Sequence, residues 1–360
     1  MTNKPRAAVA MSGGVDSTVA AYLALQQGFD VVGINLLMHK DVPVDETLVK
    51  CCQAMDIPLI VRDCTGNFYD KVLYPGALEY VNGRTPNPCC ECNECLKFQE
   101  LFDAANELGI DTVITGHYAK LQTLDSGNVA LGKAADSAKD QSYFLYRLSQ
   151  EKLRHIIFPL SELSKSEVRA IAARAGLICA VRPDSQDACF QVQGECCGDT
   201  LCRLCGVRGK RGYFIYNGRI VGHHTGLHRY TIGQRKGLNV ALGVPAYIKS
   251  IDAAKGNIVL CTDQDELGCT SFTVSRCVWQ QPIPQSFDNL MVKVRYRTRK
   301  ISCTLHPCPG DPEVFEVRTL ETVRAVTPGQ AAVFFDGDIL IGGGTIDLIG
   351  DQCMENSQPQ

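Results

Sequence analysis

The sequence predicts an α/β fold, a nucleotide-binding domain on a parallel sheet followed by a small central domain and a C-terminal β-barrel. Three observations carry this expectation. At Ala8–Ser17 (AVAMSGGVDS) an apolar strand runs into a small glycine-containing turn and then into a helix. The first half of the chain continues to alternate strand and helix, the pattern of a sheet covered on both faces. Beyond about Cys205 the apolar period changes from helical to alternating, as closed all-β structure requires.

In order, a strand at Ala7–Met11 leads to a helix at Thr18–Gln27 stopped by Gly28, and a strand at Val31–Met38 leads to a helix near Asp45–Met55. A strand at Leu59–Arg62, a helix at Asn67–Tyr80, a helix at Leu96–Leu108 ended by Gly109, and a strand at Thr112–Thr115 follow. Ser164 and Glu167 have capping-box spacing at the head of a helix that Gly176 ends. Asn217-Gly218 inside YFIYNGRIV signals a hairpin, and a second turn is expected at Lys255–Asn257. Runs such as LMVKVRYR, VFEVRTL, AAVFFDG and DILIGGGTI read as barrel strands. The expected domains are 1–192, 193–268 and 269–353, with a disordered tail at 354–360.

Ser12, Gly13 and Gly14 let backbone N–H groups approach an anion, and the helix that follows points its positive end at the same spot. The loop reads as a pyrophosphate cradle. It has neither the lysine and spacing of a Walker A loop nor G-x-G-x-x-G. No apolar run reaches the roughly 20 residues needed to cross a bilayer, and no signal-peptide pattern precedes the first strand, so the expectation is a cytoplasmic protein without membrane contact. A net charge of −3 argues against a broad basic coat but leaves room for a local track such as Lys293–Lys300 (KVRYRTRK).

Nineteen cysteines suit a disulfide scaffold in a secreted chain and metal or sulfur chemistry in a reducing compartment. Cys51, Cys52, Cys64, Cys261, Cys277 and Cys303 fall on strand or helix patterns, where the thiol acts as a small apolar group. The segment TPNPCCECNECLKF (85–98) differs: Cys89 and Cys92 have C-x-x-C spacing at a helix entry, where the Cys92 thiolate is expected to be favoured. Cys189 follows an Asp/Ser-rich loop in PDSQDACFQ. A structural zinc knuckle is the plain alternative for these cysteines.

SGGVDS (12–17) resembles the PP-loop of ATP pyrophosphatases, an adenine nucleotide alpha hydrolase-like fold. Together with TPNPCCECNECLKF, TGHYA (115–119), KDQSYFLY (139–146), ACF (188–190), GQRKGL (233–238) and TPGQAAVFF (327–335), it makes the chain similar to the bacterial tRNA-specific 2-thiouridylase (MnmA) family. The resemblance implies ATP- and Mg²⁺-dependent sulfur insertion at carbon 2 of the wobble uridine in tRNAs for Lys, Glu and Gln. Adenylation of the uridine oxygen would make it a leaving group, releasing pyrophosphate and then AMP. It further implies an ATP site of Ala10, Met11, Ser12, Gly13, Gly14, Val15, Asp16, Ser17, Leu36 and Gly116. Cys189 would carry a persulfide from a sulfur donor protein, and Cys92 would release that sulfur and end in a disulfide with Cys189. Asn87, Pro88, Cys89, Lys139, Asp140 and Gln141 would meet the target base, Arg295 and Tyr296 the tRNA body, while His117 and Gln330 would set tRNA choice.

Many members have Asp where this chain has Cys89. Three thiols, Cys89, Cys92 and Cys189, suit a [4Fe-4S] cluster whose fourth iron takes the sulfur, with sulfide as a source. A cluster-bound Cys189 cannot also carry a persulfide. The stretch 195–210 also departs, with Cys196, Cys197, Cys202 and Cys205 a second candidate metal set beside Arg203, Arg208, Lys210 and Arg211. Two other functions fit a PP-loop: a small-molecule AMP-forming ligase, which has no use for paired active-site cysteines, and a non-catalytic metal-containing RNA-binding protein, against which Asp16 and Ser17 argue.

Overall fold

The computed structural model describes residues 4–40, 42–183, 187–282 and 287–349; the expected tail at 354–360 lies outside them. Five parallel strands form the first sheet: β1 (Arg6–Ala10), β2 (Asp30–Leu37), β3 (Leu59–Asp63), β4 (Thr112–Ile114) and, after the hairpin β5 (Lys120–Thr123) and β6 (Val129–Gly132), β7 (Ile156–Ile157), in the order β3-β2-β1-β4-β7. Its central strands are apolar because helices cover both faces; Ala7, Ala8 and Val9 are fully buried.

Helix α1 (Val15–Gln26) starts three residues earlier than the apolar pattern suggests, so Asp16 and Ser17 belong to its first turn. Asp45 caps α2 (Glu46–Ala54) through Thr47 N–H at 2.7 Å. Two longer helices, α3 over 65–81 and α4 over 88–107, each pass through a widened π turn, at Tyr69–Leu73 and Asn93–Lys97. The capping box of Ser164 and Glu167 opens α5 (Lys165–Arg174), and α6 (Cys197–Cys205) packs on α3.

The central sheet contains β8 (Gly212–Tyr216), β9 (Arg219–His224), β10 (Tyr247–Asp252) and β11 (Asn257–Cys261), in the order β10-β11-β8-β9. Asn217 and Gly218, at φ 48° and 73°, make the tight turn their sequence signals. The barrel is built from β12 (Gly268–Trp279), β13 (Leu290–Lys293), β14 (Ile301–Pro307), β15 (Phe315–Arg324), β16 (Ala331–Asp336) and β17 (Ile339–Ile349), closed by the pairing of β12 with β17. Phe272, Val274, Val292, Val317, Phe334 and Ile346 fill it without solvent exposure.

Two features depart from the sequence-based expectation. The run LMVKVRYR, read as one barrel strand, leaves its strand at Lys293, and the basic residues to Lys300 become the connection to β14. The hairpin β5–β6, which belongs by position to the first domain, extends the barrel sheet instead: Leu131 pairs with Leu340 and Gly132 with Ile339. Leu131 is fully buried in a core shared with Leu145, Val333 and Leu340, which joins the domains into one packed unit. Leu131→Ala is expected to lower unfolding free energy by about 3 kcal/mol, read as a shift in the urea midpoint followed by far-UV circular dichroism.

Candidate active site

The cradle forms where β1 ends. Gly13 takes φ +79°, which favours glycine, and Gly14 caps α1 without any side-chain hydrogen bond, leaving the first-turn N–H groups for an anion. The Ser17 hydroxyl lies 3.2 Å from Ser12 N and donates to Gly14 O at 3.1 Å, holding the loop in a tight ring. Asn35 at the end of β2 donates to Met11 O at 2.7 Å. Gly116, just past β4, is pressed so closely on α1 that a Cβ there would come 2.7 Å from the carbonyl carbon of Asp16 and 2.8 Å from Ser17 N. Leu36 is half-buried near the end of β2.

Three residues at the cradle were given no role by the sequence, although Tyr118 lies within TGHYA. Lys165 reaches Asp16 at 2.7 and 2.8 Å, Tyr118 donates to the same carboxylate at 2.8 Å, and Arg182 bonds Gly13 O at 3.1 Å and Asp45 at 2.7 Å. Nothing local marks them, because each acts through a contact more than 100 positions away in the chain.

Asn87 caps α4, its side chain accepting from Cys90 N at 3.4 Å, and Pro88 opens the helix where no N–H is needed. The helix therefore begins before the cysteines, and Cys92 sits a turn inside it. The expectation that its thiolate is favoured is corrected: Cys92 is buried and desolvation pushes its thiol up, offset only in part by Lys97. Cys189 belongs to the same neighbourhood, its thiol pushed up to about 12 by burial and by Cys92 and Cys89, with Lys97 acting in the opposite sense. Cys89, exposed as a residue, is shifted up by burial and down by the same lysine. All three are free thiols. His39, past the end of β2, bonds the backbone of Cys189 and sets its ring edge-on to Phe68 at 5.4 Å.

The residues expected at the target base divide into two kinds. Gln141 is strapped to Tyr118 through both backbone and side chain, at 2.7 and 3.0 Å, and so connects to Asp16. Asp140 is buried and accepts from Ala134 N, Ser142 N and the Ser142 hydroxyl, shaping the loop that presents half-buried Lys139. His117 bonds Thr115 Oγ1 at 2.8 Å and stacks on Phe98 at 5.8 Å; burial and Lys97 hold it well below 6.5 and therefore neutral. Gln330 donates to Thr85 O at 2.8 Å, so the barrel grips the loop that precedes Asn87. Arg295 donates to the carbonyls of Ile232 and Ala325, tying the central sheet to the barrel, while Tyr296 packs on Phe144 at 4.6 Å.

Among the described residues no three His, Cys, Asp or Glu side chains are gathered to hold a metal ion, and this applies to Cys89, Cys92 and Cys189 as to Cys196, Cys197, Cys202 and Cys205. Cys196 instead caps α6, accepting from Asp199 N at 3.4 Å. Cys51, Cys52, Cys64, Cys261, Cys277 and Cys303 are buried, as small apolar groups are. No helix among the described residues is long and apolar enough to cross a membrane.

Two outcomes follow from this geometry. Gly116→Ala should push the first turn of α1 away from β4, because its Cβ would meet the backbone of Asp16 and Ser17, and lower the unfolding free energy by about 1–3 kcal/mol, as read by the urea midpoint. His39, His117, His224 and His228 all lie below their ordinary 6.5 in the folded chain. Depressed folded values mean that the unfolded chain binds more protons below pH 6.5, so stability is full above that pH and is lost as pH falls below it. The urea midpoint should hold steady above pH 7 and drop between roughly 6.5 and 5, with a shallower drop in His117→Phe.

Residues 5–193 match the family described as tRNA methyl transferase HUP domain, residues 199–262 the tRNA methyl transferase PRC-barrel domain, and residues 269–346 the aminomethyltransferase β-barrel domain. The tRNA-specific 2-thiouridylase MnmA of Leptospira biflexa is 39% identical over 96% of this chain and 94% of its own. Those of Syntrophotalea carbinolica and Desulfosudis oleivorans are both 40% identical, over 94% and 96% of this chain and 97% and 96% of their own. A solved 4-thiouridine synthetase–RNA complex with bound ATP overlaps 52% of this chain and 45% of its own at 18% identity and a TM-score of 0.38, too little to argue from. With a phosphate cradle and a thiol-bearing helix at the ends of one parallel sheet, and likeness along nearly its whole length, the chain belongs to the tRNA-specific 2-thiouridylase (MnmA) family.

Proposed function

We propose that the protein is a tRNA 2-thiouridylase that uses ATP to adenylate the oxygen on carbon 2 of a wobble uridine and then replaces that oxygen by sulfur, in tRNAs for Lys, Glu and Gln. The observation that carries this reading is the shared location of cradle and thiols: Leu36 and Met38 from the end of β2 pack in the same core as Cys92, Phe190 and Ala188. Relatives named tRNA-specific 2-thiouridylase support the substrate class.

In the first step the uridine O2 attacks the α-phosphorus of ATP and pyrophosphate leaves into the ring formed by Ser12–Ser17. Mg²⁺ would travel with the phosphates, and Asp16 would offer it an oxygen ligand once Lys165 yields. The terminal sulfur of a Cys189 persulfide then attacks carbon 2 and AMP departs with the oxygen. The Cys92 thiolate next attacks Sγ of Cys189, breaking the S–S bond and leaving the sulfur on the base, with a Cys92–Cys189 disulfide that an external thiol reduces for the next turn. Lys97 acts against the desolvation that keeps these thiols protonated at rest. The strap from Gln141 through Tyr118 to Asp16 ties the base-facing loop to the nucleotide loop.

Cys89 brings a third thiol to this neighbourhood, the donor type a [4Fe-4S] cluster takes, and its substitution separates the routes. Cys92→Ser and Cys189→Ser should each reduce thiolation below about one-thousandth of the parent while tRNA-dependent pyrophosphate release persists. Cys89→Ser should retain thiolation with a persulfide donor. Activity confined to iron-loaded protein supplied with sulfide, and abolished in Cys89→Ser, would replace the persulfide route with a cluster.

A further inference from the structure

The persulfide route uses Cys92 and Cys189 and gives the third thiol of the site, Cys89, no part. It also ends on a Cys92–Cys189 disulfide, and no new sulfur can be loaded until Cys189 is a thiol again.

Cys89 and Cys92 lie three positions apart at the start of α4. Residues at that spacing share a helix face, with Cβ atoms about 5–6 Å apart. The other two cysteines of α4 are turned to different surroundings. Cys90 is buried in a core with Tyr143, Leu145 and Val333 of the barrel, and Cys95 lies within the widened turn, its thiol donating to Lys71 O at 3.9 Å. Cys92 is 8% exposed and packs with Ala188 and Phe190, the two chain neighbours of Cys189. Cys89, by contrast, is exposed to solvent. Cys89 and Cys92 both push the Cys189 thiol up, and Cys89 does the same to Cys92, as groups of like charge do at close quarters. A reductant from solution therefore meets Cys89 before it meets Cys92.

We propose that Cys89 is the resolving thiol of the cycle: its sulfur attacks Sγ of Cys92 in the Cys92–Cys189 disulfide, the S–S bond breaks, and Cys189 leaves as a thiolate that takes the proton Cys89 gives up. This exchange moves no net electrons. It shifts the disulfide to Cys89–Cys92, at the exposed start of the helix, where an external dithiol attacks Cys89 Sγ, closes its own disulfide and restores both thiols. C-x-x-C is a spacing that dithiol–disulfide proteins use, and a thiol one turn away acts at an effective concentration that a thiol in solution does not reach. The inference rests on the persulfide route proposed above and adds to it the step that makes the reaction cyclic.

The test follows one turnover of the full-length protein. Parent, Cys89→Ser and Cys89→Asp proteins, their folding checked by thermal melts, are loaded with glutathione persulfide, freed of it, and given ATP and tRNA(Glu). The reaction is quenched in acid and alkylated, and disulfides are mapped by mass spectrometry before and after exposure to dithiothreitol. Thiolated tRNA should form in all three. The parent should then hold Cys89–Cys92 with Cys189 alkylated, both variants should hold Cys92–Cys189, and dithiothreitol should reduce the parent at least about tenfold faster. The proposal is overturned if the parent keeps Cys92–Cys189, if parent and variants are reduced at equal rates, or if both variants fold but make no thiolated tRNA. Thiolated tRNA from a parent that keeps Cys92–Cys189 would leave the functional reading standing; none from the persulfide-loaded parent would remove both.

Discussion

The geometry of the thiol site depends on a grip that the barrel exerts on a stretch of backbone ahead of it. Thr85 donates its N–H to Pro328 O at 2.8 Å, Gln330 returns a bond to Thr85 O, and Gly329 at φ +92° lies so near that a Cβ would come 3.0 Å from the Thr85 backbone. Thr231 of the central domain meets the Thr85 hydroxyl at 3.1 Å. Parts of the chain separated by up to 245 positions thus fix the two residues before Asn87, and Asn87 caps the helix that bears Cys89 and Cys92. Arg84, bonded to Glu79 and Asp347 at 2.6 Å each, braces the same loop from the other side. The cysteine helix is consequently aimed by the barrel as much as by its own sheet.

The electrostatics of the site favour the protonated thiols. Burial disfavours thiolates at Cys89, Cys92 and Cys189, and Lys97 is the cation that counteracts it for all three. A thiol kept protonated by burial is protected from adventitious oxidation, since the thiolate is the reactive form. The wide turn at Asn93–Lys97 contributes here: it shifts the helix register directly after Cys92, and the backbone of Lys97 bonds the Cys92 thiol. Nearby charge is otherwise paired, with Arg147 on Glu94 at 3.2 Å and Arg276 on Glu91 at 2.8 Å.

Much of the fold was legible because its signals are local. The strand–turn–helix of the cradle, the capping box at Ser164 and the Asn217-Gly218 hairpin each depend on a few adjacent residues, and each forms where its pattern lies. α1 begins ahead of its apolar pattern because Asp16 and Ser17 are polar, and a polar first turn looks like loop. The Cys92 environment differs from its sequence expectation for a related reason: Asn87 and Pro88 move the helix start ahead of the cysteines, turning a terminus into an interior. Lys165 and Arg182 lie in no motif, and Tyr118, though inside TGHYA, has a role at Asp16 that no local pattern shows, since these contacts exist only once distant segments meet Asp16 and Gly13. KVRYRTRK was legible as a charge pattern but not as structure, for the chain turns at Arg295 where alternation alone says strand.

The hairpin that extends the barrel sheet also sets an order of events during synthesis. Leu131 leaves the ribosome about 200 residues before its partner Leu340. At roughly 5–20 residues per second, its apolar face waits on the order of 10–40 s for the strand that covers it. The nucleotide sheet can assemble during that interval, but the loop ahead of the cysteine helix cannot be gripped until the last strands emerge. A nascent chain would therefore fold the Ser12–Ser17 loop before the cysteine helix is fixed in place.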